Sequence, residues 1–238
     1  MNYSFLYDRL YSYSYYVRFL RTIYRLLLRT VVKGKLVLDV GCGTGESAAL
    51  LKKLGAEVVA VDPNKEMLKI AKKKYPWLEV IHASFEDLQK INRKFDAVTA
   101  IFGPLAHVEN VEIAFRNVYA VLKPGGIFAF DVFPRFSWTR LRKFGKNVPK
   151  MITFRKVIKK QRIKVRLVLH ETREIEQCLK TTGFYVVKKC SLFNYIAPVY
   201  SAPRTSLRDI CKCWTDFLLG KLLRNSRGNL IIYLAKKI

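Results

Sequence analysis

Residues 36–46 read LVLDVGCGTGE. Four apolar residues around Asp39 form a short strand-like run, and Gly41, Gly43 and Gly45 then fall on alternate positions ahead of Glu46. An apolar run that ends in alternating glycines is how a strand hands the chain to a ligand, because glycine accepts left-handed backbone and lets a bound group come close.

Outward from this turn, strands and helices alternate. Leu36–Val40 predicts a strand, and 46–54 a helix ended by Gly55. Strand 57–61 follows, then a helix from an Asn64 cap to about Lys74, strand 78–82 and strand 95–101. A helix over 111–122 stops at Lys123-Pro124-Gly125-Gly126, before strand 127–132. This alternation implies parallel pairing and right-handed crossovers. The expected fold is α/β: a doubly wound, mostly parallel seven-stranded sheet with an antiparallel edge strand, in a three-layer α/β/α sandwich. In such sheets the ligand crevice lies beyond the carboxyl ends of the strands.

Upstream, residues 3–30 predict one or two helices with Tyr16, Phe19, Leu20, Ile23, Leu26 and Leu27 on one apolar stripe. Arg18, Arg21, Arg25 and Arg29 interrupt that stretch every turn, which argues against a signal peptide. Downstream, 151–158 and 162–169 flank Lys159-Lys160-Gln161 and predict a hairpin with one apolar and one cationic face. A helix over 171–182 capped by Gly183, strand 184–189, an amphipathic helix near 205–223 and strand 230–235 complete the chain. The expected organisation is a single domain: helical cap 1–33, ligand-binding core 34–133, basic lid hairpin 134–170, and C-terminal part of the sheet 171–238 with its inserted helix.

The 238 residues carry a formal charge of +26. Residues 31–130 hold 14 basic and 11 acidic groups, whereas 131–170 hold 13 basic and 1 acidic. Five cysteines without framework spacing suggest reduced thiols and a cytoplasmic protein, and with three scattered histidines they offer no metal site. No apolar run approaches the roughly 18 residues that cross a bilayer.

What would the glycine turn hold? A P-loop needs Lys-Ser or Lys-Thr after its last glycine, and a dinucleotide turn needs its third glycine where this chain has Glu46. A glutamate there would oppose a pyrophosphate at the helix N-terminus. Carboxylates at Asp39 and Glu46 suit a ligand with cationic groups and no phosphate, such as S-adenosylmethionine with its sulfonium and ammonium. Asp62 stands 21 positions after Gly41, at the end of the second strand, where a carboxylate can accept both ribose hydroxyls.

LDVGCGTGE, VDPNKEML, FDAVTAIFGPLAHV and LKPGGIFAFDV together resemble the motif series of class I S-adenosylmethionine-dependent methyltransferases, nearest to the type 11 and type 25 domains. The resemblance covers about 36–133 and continues through HETREIEQCLKTTGFYVV and the final strand, which in that family form an antiparallel hairpin at the sheet edge. It implies that Gly41, Cys42 and Gly43 pass under the methionine part, with Asp39 supporting its ammonium and Gly45 completing the turn. By the same resemblance Asp62 holds the ribose, and Pro63 and Met67 pack near the adenine. Ser84 stands where an adenine-binding aspartate is frequent, with Phe85 packing on the ring. Ile101, Phe102 and Gly103 line the transfer pocket, and Tyr7 or Tyr16 closes over the cofactor.

Methyl transfer from a sulfonium is an in-line displacement that asks for alignment, desolvation and, for a protonated acceptor, a base. His107 and Asp131, which follow the fourth and fifth strands, are the acid–base candidates. No Asn-Pro-Pro-Tyr motif for amino-methylation of DNA bases follows the fourth strand, and no Pro-Cys pair offers a nucleophile for pyrimidine carbon-5. Three readings of the basic lid stand side by side. An anionic small-molecule or lipid-like acceptor is the first, with contact to an anionic membrane surface as a variant. The others are an RNA acceptor whose phosphates the lid holds, and a cofactor-binding partner subunit without catalysis. The oligomeric state is left open.

Overall fold

A computed structural model describes residues 14–158, 161–196, 207–222 and 227–238. Seven strands form one sheet, and two more form a separate hairpin. The sheet uses β1 (Leu36–Val40), β2 (Glu57–Asp62), β3 (Glu79–His82), β4 (Phe95–Ala100), β5 (Leu122–Val132), β8 (Phe184–Leu192) and β9 (Leu230–Lys237). Their order is β3-β2-β1-β4-β5-β9-β8. β1 to β5 pair in parallel, and β9 runs antiparallel between β5 and β8. The order reverses between β1 and β4, so the ligand crevice of this sheet opens where those two strands end.

Two buried apolar layers cover the sheet. One packs α1 (Tyr15–Val32), α2 (Glu46–Lys53) and α3 (Lys65–Lys74) on one face; the other packs α4 (Val111–Val121) and α6 (Thr172–Thr182) on the opposite face. This is the expected three-layer sandwich. Asn64 accepts from the Glu66 and Met67 N–H groups and Asn110 accepts from those of Glu112 and Ile113, so the polar residue before each run satisfies the orphan donors of α3 and α4.

The expected stripe on α1 needs one correction. Tyr16, Phe19, Leu20 and Ile23 are buried, but Leu26 is 67% exposed, and the stripe continues through Tyr24 and Leu28. Spacing by four from Tyr16 follows the helix, and Leu27 packs half-buried against the same core, so Leu26 is the residue that departs. The LKPGG segment is not a bare stop either. β5 already begins at Leu122 opposite Phe95 and re-enters register at Ile127 opposite Ala97, so the intervening residues bulge from a continuous strand.

After β5 comes a short helix that periodicity did not reveal, α5 (Trp138–Phe144). Next is the hairpin of β6 (Met151–Ile158) and β7 (Gln161–Val168), whose tip at 159–160 lies outside the described residues. The lid is stitched down at its base. His170 donates its backbone N–H to Phe133 O, and Arg135 N–H donates to His170 O. The His170 ring Nε2 lies 2.9 Å from Leu105 O, in the loop after β4. α7 (Leu207–Leu222) precedes β9. Trp214 and Phe217 of this helix pack against Phe19, whereas Ile210, Leu218 and Leu222 face outward.

Candidate active site

Three loops converge at the switch point. The first is the glycine turn. Val61 O accepts from the backbone N–H groups of Gly41 and Cys42, which ties the end of β1 to β2. Gly41 sits at φ +74°, and a Cβ there would lie 2.6 Å from Pro104 Cβ. Only glycine allows this loop to touch the loop after β4. Gly43, at φ +53°, differs: a Cβ built on it meets nothing within 4 Å. The backbone there faces open space, a cradle into which a ligand can press.

Asp62 sets the second loop. It is buried, and its oxygens accept from Gly43 N–H at 2.8 Å and Asn64 N–H at 2.9 Å. Each oxygen keeps a further lone pair for a diol. Burial raises its pKa, against the pull of the two N–H groups and of nearby His107. His82 Nε2 lies 2.9 Å from Pro63 O, and so holds the exposed start of the α3 loop beside β3.

The third loop follows β4. Phe102 holds φ +69°, a conformation non-glycine residues seldom adopt, and Gly103 holds φ +92°. Asp131 fixes both. Its Oδ2 accepts from Phe102 N–H at 2.7 Å and its Oδ1 from Gly103 N–H at 2.8 Å. The Tyr24 hydroxyl donates to Oδ2 as well. Asp131 is fully buried, and burial lifts its pKa to about 6 despite these three donors. The Tyr24 ring meets Phe102 edge-on at 4.8 Å, so α1 reaches the site through this tyrosine.

The carboxylates flanking the turn do not act as the spacing suggested. Glu46 accepts from Arg21, Lys74 and Tyr75 at 2.7, 2.6 and 2.9 Å, which keeps its pKa low and its charge neutralised. Asp39 lies beneath the turn, accepting from the Ser47 hydroxyl at 2.5 Å and the Thr99 hydroxyl at 2.8 Å, with burial pushing its pKa up to about 7. Asp62 is the acid of the three that stands beside the open backbone of Gly43. The Cys42 thiol is buried, and burial raises its pKa well above the ordinary range.

The other expected positions scatter more. Met67 is half-buried on α3, and Phe85 belongs to the buried layer under α4. The Ser84 hydroxyl donates to Asp87 at 2.8 Å. Ile101 is buried at the end of the third loop's strand. Tyr16 contacts Tyr15 and Phe193 rather than the glycine turn, and Tyr7 lies outside the described residues. His107 ends the short helical turn Pro104–His107; its ring N–H faces the Arg166 carbonyl of β7. Crowding by its neighbours lowers its pKa, and Asp62 and that carbonyl oppose the shift, while one side keeps solvent contact. Tyr24 is the residue that sequence reading passed over. The signal was a hydroxyl on an apolar stripe, which must find a buried partner.

A family described as "Methyltransferase domain" matches residues 37–126. A protein of Methanocaldococcus jannaschii, "Uncharacterized protein MJ1252", is 36% identical over 192 residues, covering 76% of this chain and 72% of that protein. A demethylmenaquinone methyltransferase of Streptomyces griseus is 36% identical over 106 residues, 44% of this chain and 46% of that one, so the chain matches just under half of that relative's length. A solved S-adenosylmethionine-dependent methyltransferase from Clostridium acetobutylicum shares the fold at a TM-score of 0.63 and 20% identity, over 91% of this chain and 89% of that one. The chain belongs to the class I S-adenosylmethionine-dependent methyltransferases with a type 11/25 domain. By that membership it is a methyltransferase, and the family's cofactor is S-adenosylmethionine. The residues fit that cofactor: a backbone cradle at Gly43 and a half-satisfied carboxylate at Asp62, with no phosphate-binding lysine in the turn.

Proposed function

We propose that the enzyme methylates a small anionic or lipid-like acceptor, held between the loop after β4 and the lid, with His107 as the proton acceptor. The observation that carries this is the position of His107. It sits within electrostatic reach of Asp62 and against the main chain of β7, under the lid and beside the cofactor cradle. A lowered pKa leaves the imidazole neutral at physiological pH, the state a base needs. The names of the demethylmenaquinone relatives support an acceptor of small-molecule size.

Gly41, Cys42 and Gly43 would hold the methionine part by backbone, Asp62 the ribose diol, and Pro63 and Met67 the adenine side. When bound, S-adenosylmethionine supplies a methyl group on a sulfonium, open to in-line attack. Asp131 serves as a positioning residue: its oxygens are occupied by Tyr24, Phe102 and Gly103, and it keeps the strained loop in shape beside the transfer path.

Purified protein given tritiated methyl donor and fractionated cell extract should label a small-molecule or lipid fraction; label in RNA would overturn the reading. His107→Ala should lower turnover about a hundredfold, within the range of positioned bases, and leave cofactor affinity unchanged.

A further inference from the structure

We propose that the outer face of α5 and the segment leading to β6, residues 138–151 with Tyr195 beside them, is a docking surface for an anionic lipid bilayer. This goes beyond the identity of the acceptor, because binding to a bilayer needs no turnover.

Charge comes first. No acidic residue occurs between Val132 and His170. Among the described cations of this stretch, Arg135 pairs with Glu171, Arg166 pairs with Glu109, and Arg140 donates to Pro134 O and the Ser137 hydroxyl. Arg142, Lys143, Lys146 and Lys150 are exposed, and no described carboxylate lies within ion-pair reach of them. Like charges left together along nine residues call for an anionic partner.

Apolar exposure coincides with that charge. α5 buries none of its residues. Trp138 is 45% exposed, Phe144 37%, Met151 43% and Tyr195 41%. Trp138, Thr139, Arg142 and Tyr195 line a cavity of about 180 Å³, which sets two aromatic rings and a guanidinium around a space the size of a lipid headgroup fragment. Tryptophan and tyrosine favour the bilayer interface, where the ring is apolar and its edge is wet, and lysine or arginine beside them meets lipid phosphate. No described helix is long and apolar enough to cross a membrane, so the contact would lie on the surface.

Base stacking on RNA fits these rings less well. The Arg227 guanidinium already lies 5.3 Å from the centre of the Trp138 ring, and the Lys143 ammonium 5.2 Å from that of Phe144. A ring capped by a cation on one face suits insertion among phosphates, whereas a nucleobase would compete for that face.

The test is sedimentation of the full chain with vesicles of phosphatidylcholine alone or mixed with phosphatidylglycerol, at low and high salt. Expected is binding to the mixed vesicles, weakened by salt, and none to phosphatidylcholine. Replacing Lys143, Lys146 and Lys150 by glutamine together should lower the partition coefficient about a hundredfold, about fivefold for each charge. Brominated acyl chains should quench tryptophan fluorescence in the wild type and not in Trp138→Phe, which shows that the ring enters the bilayer. All four side chains are exposed, so an unchanged melting temperature and unchanged cofactor binding confirm that the variants are folded. Equal binding to neutral vesicles, binding to bulk tRNA without binding to vesicles, or no binding to either would overturn the proposal.

Discussion

The core at residues 34–133 and the lid after it handle charge in opposite ways. Around the glycine turn and at the end of β5, three acids are buried and occupied: Asp39 by Ser47 and Thr99, Asp62 by Gly43 and Asn64, Asp131 by Tyr24, Phe102 and Gly103. In the lid, Arg142, Lys143, Lys146 and Lys150 are exposed, and no described acid lies within ion-pair reach of them. The first arrangement fixes backbone to tenths of an ångström and suits one ligand. The second acts over a Debye length and selects a sign of charge rather than a shape. Cofactor recognition is therefore expected to depend on a few buried groups, and partner recognition on many exchangeable ones.

The sharpest way to break this contrast is Asp131→Ala. It strands two buried N–H groups and a buried hydroxyl, and should cost about 3–5 kcal/mol of stability in urea denaturation. A loss of under about 1 kcal/mol, the size of an ordinary surface change, would mean that the loop after β4 keeps its shape without this acid.

Titration should reveal the same group. Burial raises Asp131 from 3.8 to about 6, so the folded state holds its proton longer than the unfolded chain does. The stability it contributes is then fully present below about 3.8 and is lost as pH rises through about 6. That loss is on the order of 3 kcal/mol at one pKa unit per 1.4 kcal/mol. Asp131→Asn lacks this titration, so the gap in stability between wild type and variant should shrink across that window and stay level above it. A gap independent of pH would show that folding leaves the Asp131 titration where the unfolded chain has it, and a gap that widens with rising pH would show a carboxylate stabilised in its ionised form.

Asp62→Ala should weaken S-adenosylmethionine binding about a hundredfold in calorimetry, as expected for a charged hydrogen-bonding partner worth about 2–3 kcal/mol. The change also strands the Gly43 and Asn64 N–H groups and should lower the melting temperature, so affinity is compared at a temperature where both proteins are folded. At the other end of the scale, the triple glutamine variant of Lys143, Lys146 and Lys150 should change stability and cofactor affinity by less than about 0.5 kcal/mol. A large loss of cofactor affinity in that variant would join the two regions into one recognition surface.

Much of the core was legible because its constraints are local. Alternating glycines after an apolar run, an asparagine before an amphipathic stretch, and an acid at the end of the next strand each carry their reason within a few residues. The roles of the acids were less legible, because they depend on partners distant in sequence. Glu46 looked free to face a ligand until Arg21 and Lys74 arrived from α1 and α3. Asp131 looked available for proton transfer, yet Tyr24 comes to it from 107 positions away. α5 escaped notice because it buries nothing, and so leaves no periodic apolar signal in WTRLRKF.

The placement of β9 carries one more consequence. β8 is hydrogen-bonded in the sheet to β9 alone, and β9 also closes the free side of β5. While the polypeptide is being synthesised, β8 emerges before its only neighbour and waits with both edges bare. A nascent or truncated chain that stops short of Leu230 thus opens two strand borders that β9 otherwise covers, one on β5 and one on β8, each a template for pairing with another molecule. Solubility of such fragments should hinge on these eight residues more than on anything in the glycine turn.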